Sequence, residues 1–325
     1  MTGPGPDDGL LLGVDVGGTT MSAGLVTRDG RVLVTRSQPT HGAQGGGAID
    51  RLLALAAETA ALPAARKAGI VGVGAGLPAL VDVASGTVGG EAHHVPELIG
   101  VPIAKLLAEV TGAPAFVDND VNALALAEWL WGAGRGATSF VLLAIGTGVG
   151  GGIILDGRLH RGAGGFGGEL GHVPIAFEGR PCICGARGCL KAFVAGPDLA
   201  AEASRRLGRP IDTAALFDLA ERDRSTSEGA LADAVIADAT EALAAGLAII
   251  VNGINPERLL VAGSVGRAFA RRESDLRARL SRRAFRGAVA TTHLAFLDVD
   301  KDTSVRGGAA LFLYERARNS GPRAG

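Results

Sequence analysis

The sequence predicts an α/β protein of two lobes with a cleft between them, built by internal duplication, and three observations carry that reading. The chain has 325 residues, more than one hydrophobic core usually organises, since single cores stop growing at roughly 250–300 residues. Residues 10–36 read as an apolar run, a Gly/Thr turn, a second apolar run and an Asp-Gly turn. "SFVLLAIGTGVGGGIILDGRL" near residue 140 repeats that grammar, as a duplicated unit would. Between the copies, stretches with helical spacing alternate with short apolar runs, the pattern of α/β folds.

Taken in order, "LLLGVDV" is a continuous apolar strand. "MSAGLVTRDGRVLVTR" then alternates and turns at Asp29-Gly30, which makes residues 10–36 a β-meander. Ile49, Leu52, Leu53 and Ala56 keep helical spacing, as do Ile103, Leu106, Leu107 and Val110 behind Pro102, a favoured residue at a helix start. Strands are expected at "IVGVGAG" and "PAFVDN". Past residue 197 the chain reads as mostly helical, with "IADATEALAAGLAIIVNGINP" the clearest helix, then the buried strand "RLLVAGS" and a last helix after Gly307-Gly308. The expected division is a smaller lobe over residues 1–120, completed by a C-terminal helix over 306–325, and a larger lobe over 121–305.

Composition narrows the function. The chain is 47% hydrophobic and 20% charged with a formal net charge of −1, so it buries a large core and has no field to draw in nucleic acid or anionic lipid. "MTGPGPDDG" carries acids rather than a basic, apolar leader, and no run reaches the ~18 uncharged apolar residues of a membrane span. The expectation is a cytoplasmic protein with a small-molecule ligand and neither nucleic acid nor membrane as partner. The 51 glycines cluster in "DVGGTT", "GVGAGLP", "IGTGVGGG" and "RGAGGFGG", as turns do where backbone passes close to a ligand.

Two of those clusters are candidate phosphate sites. "DVGGTT" sets Asp15 and the amides of Gly17, Gly18 and Thr19, with Thr20 beyond, at a tight hairpin turn, and "GTGVGG" offers Gly146, Thr147 and Gly148 in the second copy. Amides and hydroxyls in such turns surround phosphate oxygens, and a matched pair would grip a nucleotide from both sides. Gly146, Gly148 and Gly151 formally match a dinucleotide fingerprint, but a strand follows where that fold needs a helix. No lysine follows a glycine as a P-loop requires.

"FVDNDVNALALAEWLWGAG" leaves a strand at Asp118 and enters a helix, with Asn119 and Asp120 at the junction. A helix N-cap accounts for one of these polar residues. A carboxylate at the mouth of a strand is also where phosphoryl transfer needs a base for an attacking hydroxyl. Further on, Glu169 and His172 precede all three cysteines of the chain, Cys182, Cys184 and Cys189. The spacing His-x9-Cys-x-Cys-x4-Cys supplies four ligands for a closed, structural Cys3His zinc site.

Together these residues resemble the ROK family of bacterial sugar kinases and sugar-responsive repressors over nearly the whole chain. "DVGGTT" and "GTGVGGG" are similar to the family's two phosphate turns, "VDNDVNALALAE" to its catalytic segment, "GELGH" to its sugar-binding motif, "CICGARGCL" to its zinc signature and "INPERLLVAGSVG", with Gly263, to the segment over the adenosine. The resemblance implies the duplicated actin-like, ribonuclease-H-like α/β fold, Mg-ATP and a structural zinc, and a homodimer. It implies Asp120 as general base, Asn119 and Glu169 on sugar hydroxyls, and His172 serving both zinc and sugar.

The chain departs from the family at "GCLK", where Lys191 stands in place of a glutamate that reaches the sugar's anomeric end. Either Lys191 swings to solvent, as lysine readily does, or the substrate is altered there. The stretch that often offers Pro-Asn to the sugar reads "EAHHVPELIG", where His93 or His94 either replaces a sugar contact or is a surface pair. The expected function is therefore an ATP-dependent kinase of the 6-type hydroxyl of glucose or a related hexose. The alternatives are a kinase for a modified sugar or sugar-like cyclitol, and a non-catalytic sugar-binding or regulatory protein. Family repressors carry a helix-turn-helix ahead of this region, whereas here the first strand is expected near residue 10, and the balance of charge is not basic.

Overall fold

The computed structural model describes residues 9–42, 46–92 and 94–320. The first half runs β1 (Leu10–Val16), β2 (Thr20–Val26), β3 (Val32–Pro39), α1 (Ala48–Ala60), α2 (Pro63–Ala68), β4 (Ile70–Leu77), the short strands β5 (Val81–Asp82) and β6 (Thr87–Val88), α3 (Ile103–Thr111), β7 (Ala115–Asn119) and α4 (Asp120–Trp131). The second half opens with β8 (Phe140–Ile145), β9 (Val149–Leu155) and β10 (Arg158–Leu159), followed by α5 (Lys191–Val194), α6 (Gly196–Leu207), α7 (Thr213–Arg222) and α8 (Ser227–Gly253). It closes with β11 (Arg258–Ala262), α9 (Ser264–Phe269), α10 (Glu273–Leu280), α11 (Arg286–Thr291), β12 (His293–Phe296) and α12 (Lys301–Ser320).

The duplication is visible in the sheets. One has the order β3-β2-β1-β4-β7 and the other β10-β9-β8-β11-β12. In each, a hairpin supplies an antiparallel pair, β1 with β2 and β8 with β9, and two parallel strands extend the sheet from β1 and β8. The parallel strands are buried on both faces, which is why "LLLGVDV" reads as unbroken apolar sequence rather than alternating.

The chain divides into two compact units, Met1–Gly136 with Leu159–Gly167 and Val299–Gly325, and Ala137–Arg158 with Gly168–Asp298. The first unit thus runs past the break expected at residue 120 and takes in α4, which packs on β4 and α12. In this unit α1 buries Leu52, Leu55 and Ala56 against β1, β2 and β4, while α12 buries Val305, Ala309 and Phe312 with Leu11 and Val26. In the second unit α8 packs against α5, α6, α7 and α10, and its Val235, Ile236, Leu243 and Leu247 share one core with Val141, Leu143 and Leu259 of β8 and β11. Among the described residues α8 alone is long and apolar enough to cross a membrane, yet 67% of its most apolar stretch is buried inside the structure.

The last helix begins at Lys301, ahead of the glycine pair expected to precede it. Gly307 and Gly308 are inside the helix because α12 passes against the strands backbone to backbone. A Cβ on Gly308 would lie 2.3 Å from the Gly74 carbonyl oxygen, and one on Gly74 would lie 1.9 Å from that of Gly308. Glycine here buys a close approach that outweighs its entropic cost in a helix.

Gly74→Ala is therefore expected to lower stability by about 2–3 kcal/mol, the cost of overpacking a rigid contact. Gly253→Ala, where a Cβ meets nothing, should stay within about 0.5 kcal/mol of the parent. Urea unfolding midpoints of the two variants check this.

Candidate functional site

Register gathers the predicted residues of the first unit along one edge. Asp15 in β1 pairs with Gly76 in β4, which pairs with Asp118 in β7, so the three lie in one row across adjoining parallel strands. Beyond that row the strands end, and ligands of open parallel sheets bind outside such carboxyl ends. From β1 the chain enters the Gly17–Thr20 turn, where the Gly17 N–H donates to the Thr20 carbonyl at 2.9 Å and Thr40 Oγ1 donates to the Gly17 carbonyl at 2.6 Å. The Gly17 amide is thus engaged in closing the turn, and the amides of Gly18 and Thr19 are the ones the hydrogen bonds leave to face a phosphate. The His94 side chain packs over Gly18, where a Cβ would lie 3.1 Å from the nearest ring atom; His93 lies outside the described residues.

Asp15 sits behind this turn. Burial pushes its carboxyl above the ordinary range, and Lys301 and Ser304 of α12 pull it back. Neither α12 residue was singled out by the sequence, because both lie nearly three hundred positions away.

At the end of β7, Asn119 is the N-cap of α4, its Oδ1 accepting from the N–H groups of Val121 and Asn122. Capping by Asn is worth about 1 kcal/mol, and it uses the amide oxygen, leaving the amide nitrogen as the half of the side chain suited to a ligand hydroxyl. Asp120 is the first residue of α4, with Oδ1 accepting from Val121 N–H at 2.9 Å. Strand β4 passes so close that a Cβ on Gly76 would lie 3.0 Å from the Asp120 Cα, which fixes the carboxylate's base of attachment.

The residue that sequence reasoning passed over is Asp118. Its carboxylate is buried, and burial pushes its pKa up while the Arg161 guanidinium opposes the rise. Its Oδ1 accepts from the Asn119 N–H at 2.7 Å and Asn122 Nδ2 at 3.1 Å. Its Oδ2 accepts from Arg161 Nε at 2.8 Å and Nη2 at 2.6 Å, and the same Nη2 reaches Glu315 at 2.6 Å.

In the second unit the turn after β8 closes by Gly146 N–H to the Gly148 carbonyl at 2.9 Å. Gly146 is thus engaged as Gly17 is, and the amides of Thr147 and Gly148 remain for a ligand. The Gly146 carbonyl accepts from the Gly196 N–H at 2.8 Å, which ties the start of α6 to the turn. Gly263, at the carboxyl end of β11, has φ of 88°, and a Cβ there would lie 2.4 Å from the Ile145 carbonyl oxygen. The backbone at this edge is therefore packed as closely as at the first turn.

Glu169 is exposed and precedes a single 3-10 turn, Leu170–His172, in which the His172 N–H donates to the Glu169 carbonyl at 3.0 Å. His172, Cys182, Cys184 and Cys189 converge, with ligand atoms all within 4.8 Å of one another. His172 Nδ1 lies 3.5 Å from Cys182 Sγ, and the Sγ atoms of Cys184 and Cys189 are 3.7 Å apart. Around a tetrahedral zinc, with Zn–S about 2.3 Å and Zn–N about 2.0 Å, the edges come to about 3.5 Å for N···S and about 3.75 Å for S···S. The spacing fits zinc and is too long for a disulfide, whose sulfurs stand about 2.05 Å apart. Without a cation, burial and the neighbouring thiols push Cys189 up to about 12, as expected where thiolates crowd together. Nδ1 is the imidazole atom aimed at the thiols, which leaves Nε2 on the far side of the ring.

Lys191 does not swing to solvent. It opens α5 two residues after Cys189, is 18% exposed, and places Nζ 2.9 Å from Asp198 Oδ2 in the first turn of α6. Arg180 ties the cysteine loop to the same helices, its guanidinium 4.9 Å from the Phe193 ring and 3.5 Å from Glu202. Hydrogen bonds from Arg205 foremost, and from Arg206, hold Glu202 down to about 2.

Comparison with known proteins places these features. The ROK family model matches residues 11–315, and the chain belongs to the ROK family. A glucokinase of Thermotoga maritima is 35% identical over 274 residues, covering 79% of this chain and 83% of the relative. Among solved structures, a ROK hexokinase from Thermus thermophilus superposes with a TM-score of 0.78 at 30% identity over 95% of this chain and 99% of that one. A ROK family glucokinase from Streptomyces griseus, solved with glucose and AMPPNP, does so at 0.74 and 26% over 94% and 99%. The fold is the duplicated actin-like α/β fold.

The cysteine site yields a direct expectation. Elemental analysis of the purified protein should find about one zinc per chain, and Cys189→Ser should lose it and unfold several degrees lower. Binding requires deprotonated thiols, so metal should also be released as the pH falls. A metal-free wild-type protein of unchanged stability would contradict the assignment.

Proposed function

We propose that the protein is a cytoplasmic ATP-dependent kinase that phosphorylates the primary, 6-type hydroxyl of glucose or a related hexose, with Asp120 as general base. The observation that carries this reading is the repeated carboxyl-edge turn, Gly17–Thr20 in one copy and Gly146–Gly148 in the other, with Asp120 just beyond β7 at the first edge. The glucokinase and hexokinase relatives support the sugar as acceptor.

In that reaction the amides of Gly18, Thr19, Thr147 and Gly148, with the Thr20 hydroxyl, donate to phosphate oxygens, and Gly263 lets the adenosine approach. Asp15, with Lys301, orders the turn behind them. Magnesium arrives with ATP as part of the substrate and screens the phosphate charges. Asn119 Nδ2, Glu169 and His172 Nε2 hold sugar hydroxyls, and a zinc held by His172, Cys182, Cys184 and Cys189 would fix the imidazole through its other nitrogen. Asp120 accepts the hydroxyl proton while that oxygen bonds to the γ-phosphorus. The bond to the bridging oxygen breaks, and ADP leaves with the electron pair. The exposed Phe177 and Ile249 of the second unit support a homodimer. The net charge of −1 supplies no net positive field to draw in nucleic acid.

A second reading is favoured by the Lys191–Asp198 ion pair. With the lysine held at 2.9 Å by Asp198, the position offers a cation where the family offers an acceptor, which suits a sugar modified at that end or a cyclitol.

A coupled ATP-turnover assay across free hexoses, 1-substituted sugars and cyclitols separates the two, and glucose is the expected acceptor. Turnover of cyclitols or modified sugars alone would select the second reading. In the same assay Asp120→Asn should be folded with kcat lower by roughly 10²–10⁴-fold, the usual contribution of a general base. A variant near the wild-type rate would refute that role.

A further inference from the structure

We infer that Arg161 is a positioning residue of the phosphotransfer site, fixing, through the Asp118 carboxylate, the backbone that carries Asn119 and Asp120. The inference rests on the kinase reading above and adds to it a residue that touches neither substrate nor the reacting atoms.

Three stretches distant in sequence meet at this guanidinium. Asp118 comes from the end of β7, Glu315 from α12, and Arg161 from the segment Leu159–Gly167, which packs with the first unit although the residues on either side of it belong to the second. The segment is anchored at two points. The Leu159 N–H donates to the Tyr314 hydroxyl at 2.9 Å, and the Arg161 guanidinium lies 5.9 Å from the centre of the Tyr314 ring. Past Arg161 the chain runs "GAGGFGG" to Glu169, with little side-chain packing of its own.

The side chains of Arg161, Asp118 and Glu315 are 16%, 4% and 5% exposed. A buried ion group of this kind gains little stability over apolar side chains of the same volume, since desolvation offsets most of the attraction. What it supplies is geometry. Both Nε and Nη2 converge on Oδ2 of Asp118, and this orients the carboxylate so that Oδ1 faces the Asn119 N–H and Asn122 Nδ2. Those two donors belong to the residue before Asp120 and the residue two after it. The first turn of α4 is thus held by one carboxylate that is itself held by one guanidinium. Without Arg161, Asp118 becomes a buried anion with no cation against it, and protonation or rotation would release the peptide that aims Asp120. Glu315 shares Nη2 with Asp118 and is paired on its other side with Arg318.

The test uses the full chain, with glucose or, if glucose is not turned over, the best acceptor of the sugar panel. Arg161→Met should lower kcat by about 10- to 100-fold and raise KM for the sugar, which Asn119 holds, with KM for ATP within about threefold, the signature of misplaced groups on the acceptor side alone. Arg161→Lys should recover part of the loss, because it restores the charge without the two-pronged contact. Glu315→Gln should lose stability and keep kcat. If Arg161→Met does not fold, Arg161→Met combined with Glu315→Gln removes one of the stranded carboxylates and carries the same measurement. A folded methionine variant with wild-type kcat, measured beside an inactive Asp120→Asn, overturns the inference alone. Wild-type activity in Asp120→Asn overturns the base assignment beneath it.

Discussion

Helix α12 approaches the central strands of the first unit more closely than any side chain would permit, and much of that unit follows from the contact. Gly13 in β1 faces the Val305 carbonyl, where a Cβ would lie 1.8 Å from the oxygen, and Gly74 in β4 faces Gly308 in the same way. With the helix seated at that depth, its first turns set Lys301 and Ser304 beside Asp15, and its last turns bring Tyr314 and Glu315 to the Arg161 segment. On its other side Gly307 lies against Ala123 of α4, so the helix that opens with Asp120 is supported from below by the same close packing. One run of small residues thereby determines where several polar residues come to rest.

The second unit solves the corresponding problem by a different route. The loop from Glu169 to Leu190 has little regular structure, the single 3-10 turn Leu170–His172 and isolated bridges between Pro174 and Cys189 and between Pro181 and Arg187. Such a loop is held to the core of the unit by Leu170, Val173, Ile175 and Leu190 rather than by a backbone ladder. A zinc bound by the four converging ligand atoms would supply a further constraint, and the Arg180–Phe193 contact and the Lys191–Asp198 ion pair anchor the loop's far end to α5 and α6. Since Gly196, at the head of α6, donates to the Gly146 carbonyl, the helix that pairs with Lys191 also braces the second glycine turn. The loop and the turn are therefore parts of one packed assembly within that unit.

What could be read in advance was whatever is local. The meander, the two glycine turns and the His-x9-Cys-x-Cys-x4-Cys spacing each sit within a few dozen residues, and their periodicities and turn residues are written in contiguous sequence. The Asp118–Arg161–Glu315 group was not legible, because its members stand 43 and 154 residues apart and a lone arginine in a glycine-rich stretch carries no pattern. Gly307-Gly308 misled for a related reason. Glycine in a helix is usually a breaker, and only the facing Gly74, more than two hundred residues earlier, shows that the pair is a surface for packing. Lys191 and Asp198 are only seven residues apart, yet the chain turns at Ala195 between two helices, so helical spacing does not forecast their meeting.

The two copies have also diverged in a way that fits their proposed division of labour. Both keep a hairpin turn whose first glycine amide is engaged within the turn, and both keep close backbone packing at the adjacent parallel strand. The acid ahead of the turn does not follow the repeat, although the pair at the end of β7, Asp118 and Asp120, has counterparts after β12 in Asp298 and Asp300. Asp15 precedes the first turn, whereas its counterpart before the second is Ala144, in a strand that is otherwise buried and apolar. Holding a polyphosphate calls for amides on more than one side, so selection of ligand geometry would preserve both turns. Proton abstraction calls for a single base, and a second carboxylate facing the phosphates would only add repulsion. Duplication of the scaffold, with an acid kept ahead of the glycine turn in the first copy and replaced by alanine in the second, fits the single in-line transfer proposed above.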